Sequence, residues 1–159
     1  MRFRAPSNGN PQRMRGRAFL VACALVACAG CVLPARSFGA FEEKAAKTAE
    51  TVASAVQNAN LAVSLAINRK AFSPYITTLL DESEDDASSA QSTFGSIQPP
   101  DDRSLALSET LEAIVEPAVN TLTRLRIAAR AGRFDEMPSA RASLAHAAEQ
   151  LDGFLKAHG

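Results

Sequence analysis

From residue 41 onward, apolar and small side chains return in alternating steps of four and three. In the first stretch, Phe41 to about Lys70, these positions are Ala45, Ala49, Val52, Val56, Ala59, Val63 and Ala66. Such steps keep every position on one side of a helix, so the spacing predicts a single sustained helical stripe. Its alanines allow a neighbouring helix to approach toward the close end of the roughly 8–10 Å range. Ser73-Pro74 then offers an N-cap and a proline at the first helical position, where the missing N–H costs nothing. The second stripe is Ile76, Leu80, Ser83, Ala87, Ala90, Phe94 and Ile97, and Gly95 with Pro99-Pro100 ends it.

Asp101 or Ser104 can cap a third helix, whose stripe is Leu107, Leu111, Ile114, Ala118, Leu122, Leu125 and Ala129. Pro117 falls inside it, which removes one backbone hydrogen bond and favours a bend. Ala131-Gly132 closes the third helix, and Asp135 is the expected cap of a fourth, with Pro138 in its first turn. The fourth stripe is Met137, Ala140, Leu144, Ala147, Leu151 and Phe154. Four amphipathic helices of roughly 22 to 30 residues with short connections predict an all-α fold, an up-down-up-down antiparallel four-helix bundle. The first stripe also has the heptad spacing of a coiled coil, so a self-associating structural module is a further reading.

The helical pattern does not extend to the N-terminus. Residues 1–17 form a basic polar leader, residues 18–40 a hydrophobic signal and cleavage region, and residues 41–159 the bundle. The first 40 residues hold six arginines and no acid, whereas from Cys28 onward there are 12 basic and 17 acidic side chains. The formal neutrality of the chain is therefore an average over two unlike parts. The net negative body argues against a nucleic-acid partner.

The order "RMRGR", then the apolar run Ala18 to Leu33, then "PARSFGA" is that of a secretory signal. The run is short for a spanning helix, which needs about 20 residues. Leu25-Val26-Ala27-Cys28 resembles the lipobox of bacterial lipoproteins, in which small residues precede a cysteine that is diacylated before the peptide is cut on its N-terminal side. The resemblance implies lipid attachment at Cys28, with Cys31 as the alternative, and membrane association through N-terminal acyl chains. A second cleavage chemistry, after Ser37 or Gly39, would give a soluble exported bundle, ligand-binding, metal-binding or accessory to a membrane complex. Cys28-Ala29-Gly30-Cys31 has redox spacing, but an apolar signal run lacks the folded surroundings that tune a thiolate. Translation from Met14 would give the more usual short leader.

Candidate chemistry in the body is sparse. Inward Glu-x-x-His pairs, a Cys-x-x-Cys-His haem site and a Gly-x-Ser-x-Gly elbow are missing from the sequence, and the only histidines are His146, on the polar side of helix 4, and His158, at a frayed terminus. The reading is therefore of a binding protein without cofactor and not an enzyme. The run Asp81, Glu82, Glu84, Asp85 and Asp86 is a solvated helix face or, at most, a weak divalent-metal site through Asp81, Glu82, Asp85 and Asp86. Bundle topology brings the helix 1/2 and helix 3/4 turns to one end. Arg69, Lys70, Arg124, Arg126, Arg130, Arg133 and Arg141 should cluster there with Phe72, Tyr75 and Phe134. That end is an expected anion-binding tip for an acidic polysaccharide or an envelope protein, although cations also complement a helix C-terminus. Glu42, Glu43, Asp101, Asp102 and Asp152 mark the opposite end, on the side of the anchor. The expected location is extracytoplasmic, lipid-anchored at a membrane.

Overall fold

A computed structural model describes residues 36–159. Helix α1, Phe38–Ile67, starts earlier than the stripe indicates because Ser37 is extended and its hydroxyl accepts the Ala40 N–H at 3.4 Å. Every position of the first stripe except Ala66 is buried, and Phe41, Ala46, Thr48, Ala55 and Ala62 are buried beside it. The buried band is wide because α1 packs on all three other helices, and alanine is what permits approach on several sides at once.

Helix α2, Ser73–Gly95, ends where Gly95 and the two prolines require. Its start differs from expectation. Phe72 holds the N-cap position without a side-chain bond, and Ser73 is already helical, its carbonyl taking the Thr77 hydroxyl at 3.0 Å. Helix α3, Asp102–Arg130, is capped by Asp101, whose carboxylate accepts the Ser104 N–H at 2.7 Å. Of the two expected caps, Ser104 therefore supplies the donor. Pro117 leaves α3 unbroken: both Pro117 and Ala113, whose carbonyl loses its partner, face solvent, so water can take the place of the missing bond. The third stripe is buried except for Ile114, which is half-buried while Val115 takes the interior.

The fourth element departs most from its prediction. Residues Phe134–Ala140 form a 3-10 helix, and α4 runs only over Arg141–His158; Asp135 caps neither. The Met137 side chain, inside this tighter segment, is fully buried and reaches the core before α4 begins. The fourth stripe is nevertheless buried except for Ala140, which is half-buried.

The four helices form an all-α bundle in which each short connection reverses the chain. Among the described residues α2 and α4 do not touch, whereas α1 and α3 each meet all the others. The cross-section is thus a rhombus with α1 and α3 on the short diagonal. The heptad stripe of α1 is occupied inside the chain by these contacts. No described helix is long and apolar enough to cross a membrane.

Candidate functional site

The arginines expected at one tip divide into two groups with different surroundings. Along the α2–α3 seam, Arg126 Nε lies 3.2 Å from Glu84 Oε2, and Arg130 Nε donates to Asp81 Oδ1 at 2.8 Å. The Thr123 hydroxyl donates to Glu84 Oε1 at 3.1 Å, and Arg124 donates to the Thr121 hydroxyl at 3.1 Å. The antiparallel register of α2 and α3 makes these pairs: the acidic early part of one helix faces the basic last turns of the other. The hydrogen bond that Asp81 accepts, then its charge, raises the Arg130 guanidinium above its ordinary value. The acidic run and the basic end, read in sequence as separate surfaces, are in part each other's partners.

That pairing bears on the divalent-metal candidate. Asp81 is engaged with Arg130, while Glu82, Asp85 and Asp86 are exposed. Among the described residues no group of three His, Cys, Asp or Glu side chains could hold a metal ion.

The second group lies beyond the seam. Asp81 is level with Arg130 at the end of α3, yet α2 begins eight residues earlier, at Ser73. At 1.5 Å per residue the α1–α2 hairpin therefore overhangs the end of α3 by about 12 Å. Arg69, Lys70, Phe72 and Tyr75 belong to this overhang. Neither Arg69 nor Lys70 has an ion-pair partner among the described residues. Phe72 is 87% exposed and Tyr75 55%. No Asp or Glu occurs between Glu50 and Asp81, so the outer half of the hairpin carries only positive charge.

The hairpin turn has a defined geometry. The Lys70 N–H bonds Leu65 O at 3.0 Å and the Arg69 N–H bonds Ala66 O at 3.2 Å, a Schellman ending that puts Arg69 in the left-handed region at φ 51°. The end of α3 repeats the pattern, with Arg133 N–H on Ala128 O at 2.8 Å and Gly132 N–H on Ala129 O at 3.0 Å, but with Gly132 in the left-handed position at φ 69°.

The 3-10 segment packs on α1, α3 and α4 but not on α2. Phe134 is half-buried against the core, and its segment does not pack on the helix that carries Tyr75. Arg133 pairs with Glu136 at 2.9 Å, and Arg141 is exposed. A shallow groove of about 250 Å³, lined by Arg124, Glu136, Ser139 and Ser143, runs between α3 and this segment.

At the opposite end the structure adds contacts that no local pattern announces. His158 Nδ1 lies 2.9 Å from Glu42 Oε1 and its ring is 4.7 Å from that of Phe154, so the C-terminus is tied to α1 and not frayed. His146 is exposed on α4 as its position predicts. Arg103 lies over the Phe38 ring at 3.7 Å, and Phe41 meets Phe94 at 5.1 Å. The nearby Ser104 hydroxyl, which makes no hydrogen bond among the described residues, and then the Ser104 N–H, bonded at 2.7 Å, hold the Asp101 carboxyl below its ordinary value. Periodicity within one helix carries no information about a contact between residues 42 and 158.

The leader, the apolar run and the lipid-attachment candidates Cys28 and Cys31 lie outside the described residues. Residues 38–40, grouped above with the cleavage region, belong to α1. Comparison with known protein families, with characterised proteins and with solved structures finds no match to this chain.

Proposed function

We propose that this chain is an exported helical-bundle protein, held at the outer face of a bacterial envelope membrane by acyl chains on Cys28. Its role is to bind an anionic envelope component through the far end of the bundle, and not to catalyse a reaction. The observation that carries the anchored reading is the start of α1. Ser37 caps the helix and Phe38 lies beneath Arg103. A cut after Ser37 removes the cap, which is worth about 1 kcal/mol, and a cut after Gly39 removes the stacked ring as well. Cleavage before Cys28 keeps both and leaves a nine-residue tether from Cys28 to Ser37, about 30 Å at full extension.

On this reading the end bearing Glu42, Asp101 and Asp152 faces the anchor. The 30 residues of α1 then hold the Arg69–Lys70 turn about 45 Å away. The acidic near end is repelled by anionic headgroups, so attachment rests on the acyl chains.

Fatty-acid labelling and fractionation of a Cys28→Ser variant test the proposal. Loss of both label and membrane retention is expected, whereas unchanged retention without label overturns lipid anchoring at Cys28. Label that persists assigns the attachment to Cys31. A mature N-terminus at Phe38 or Ala40, read by mass spectrometry, would establish the soluble exported form instead.

A further inference from the structure

We propose that the overhanging turn of the α1–α2 hairpin is a membrane-docking finger that inserts Phe72 into the surface of an anionic bilayer, with Arg69 and Lys70 on the lipid phosphates. The inference names the partner class for the binding role proposed above and does not depend on Cys28.

Shape is the first argument. A side chain that is 87% exposed touches almost nothing of its own protein, so Phe72 stands out from the surface and cannot be the wall of a cleft. Pocket recognition of a sugar or peptide needs concave walls, and a bilayer needs a projecting apolar group. Ile67 and Tyr75 flank the projection at 39% and 55% exposure. An aromatic ring with a hydroxyl beside a bare one suits the level of the headgroups.

Charge is the second. The outer half of the hairpin, residues 51–80, contains Arg69 and Lys70 and no carboxylate. Asp81 of α2 follows the outer half and is bonded to Arg130, and the 3-10 segment, which holds Asp135 and Glu136, does not pack on α2. Arg133 and Arg141 accompany that segment. An anionic surface therefore meets Arg69 and Lys70, with no carboxylate of the hairpin's outer half beside them.

Local cost is the third. Gly132 makes the same turn without steric penalty, whereas Arg69 accepts a left-handed backbone that L-residues avoid. Phe72 leaves a large apolar surface in water. The fold gains from neither choice, and interfacial binding gains from both.

The chain contains no tryptophan, so Phe72→Trp places a single, selectively excited tryptophan at the finger without disturbing the core. Full-length protein carrying it, held by its N-terminus in phosphatidylcholine nanodiscs, is mixed with vesicles of phosphatidylcholine alone or with added phosphatidylglycerol. A blue shift with quenching by brominated acyl chains is expected for the anionic vesicles only. Arg69→Glu with Lys70→Glu should lower the apparent partitioning by about tenfold or more. A tryptophan in place of Leu105, exposed at the other end, should not shift.

No shift with anionic vesicles overturns the proposal, as does an equal shift with neutral ones or a matching shift from position 105. A shift that appears with polygalacturonate but not with vesicles assigns the finger to an acidic polysaccharide. A concentration-dependent shift without vesicles assigns it to a second copy of this chain. Fatty-acid labelling at Cys28 is read separately, so failure of the finger and failure of the anchor are distinguishable.

Discussion

The two ends of the bundle are built from similar residue types and use them in opposite ways. At the end holding both the start of α1 and the end of α4, charged and aromatic groups are turned onto one another: His158 on Glu42, Arg103 on Phe38, Asp101 on the Ser104 amide. At the far end the seam pairs Arg126 and Arg130 with Glu84 and Asp81, but the overhang leaves Arg69, Lys70 and Phe72 to solvent. A group spent on internal contacts stabilises the fold, and a group left out is available to a partner.

The comparison is sharpest between two large apolar side chains of the far end. Met137 is fully buried and fastens the 3-10 segment to the core, whereas Phe72 touches little. Met137→Ala should destabilise by about 2–5 kcal/mol, because the lost transfer energy is compounded by a cavity. Phe72→Ala should stay within about 0.5 kcal/mol of the parent. Urea denaturation followed by helical circular dichroism checks both. A marked loss of stability for Phe72→Ala would mean that the ring packs on the fold and is not held out for a partner.

Much of this arrangement was legible from local pattern. The stripes of α1 and α2, the Gly95 and Gly132 stops and the Asp101 cap follow from spacing and backbone preference, which are encoded within a few residues. The 3-10 segment was not, since burial of Met137 is expected of either helix type and does not tell them apart in the sequence. Nor was the division of the basic cluster. Topology correctly brings both turns to one end, but helix lengths set how far each turn projects. The Asp81–Arg130 pair depends on that register. Ser73 and Asp135 were plausible caps by residue type, but Phe72 holds the cap position of α2, Arg133 that of the 3-10 segment and Ala140 that of α4.

The matched turns give a smaller, signed test. Gly132→Ala adds a methyl group that meets no atom within 4 Å, so its cost is that of the left-handed backbone alone, about 1 kcal/mol. Arg69→Gly relieves the same strain in the other turn, partly offset by the greater freedom of glycine in the unfolded chain, and should stabilise by a few tenths of a kcal/mol. Opposite signs in urea midpoints are expected. If Arg69→Gly destabilises, the arginine serves the fold through contacts that the hairpin geometry does not reveal.

The smallest effect separates the two ends by pH. Asp101 has a depressed pKa in the folded chain, so its stabilising contribution is complete above the ordinary aspartate value of about 4 and is lost as pH falls through the lower folded value. Arg130 has a raised pKa, so as pH rises its contribution is lost through a value beyond the ordinary guanidinium range. Acid therefore loosens the start of α3 while the Arg130 guanidinium at the other end stays charged. Asparagine caps a helix about as well as aspartate and does not titrate. Asp101→Asn should consequently leave the urea midpoint nearly unchanged at neutral pH and lessen its fall below pH about 4. A parallel acid limb in the two proteins would show that the Asp101 charge adds nothing to its hydrogen bond with Ser104.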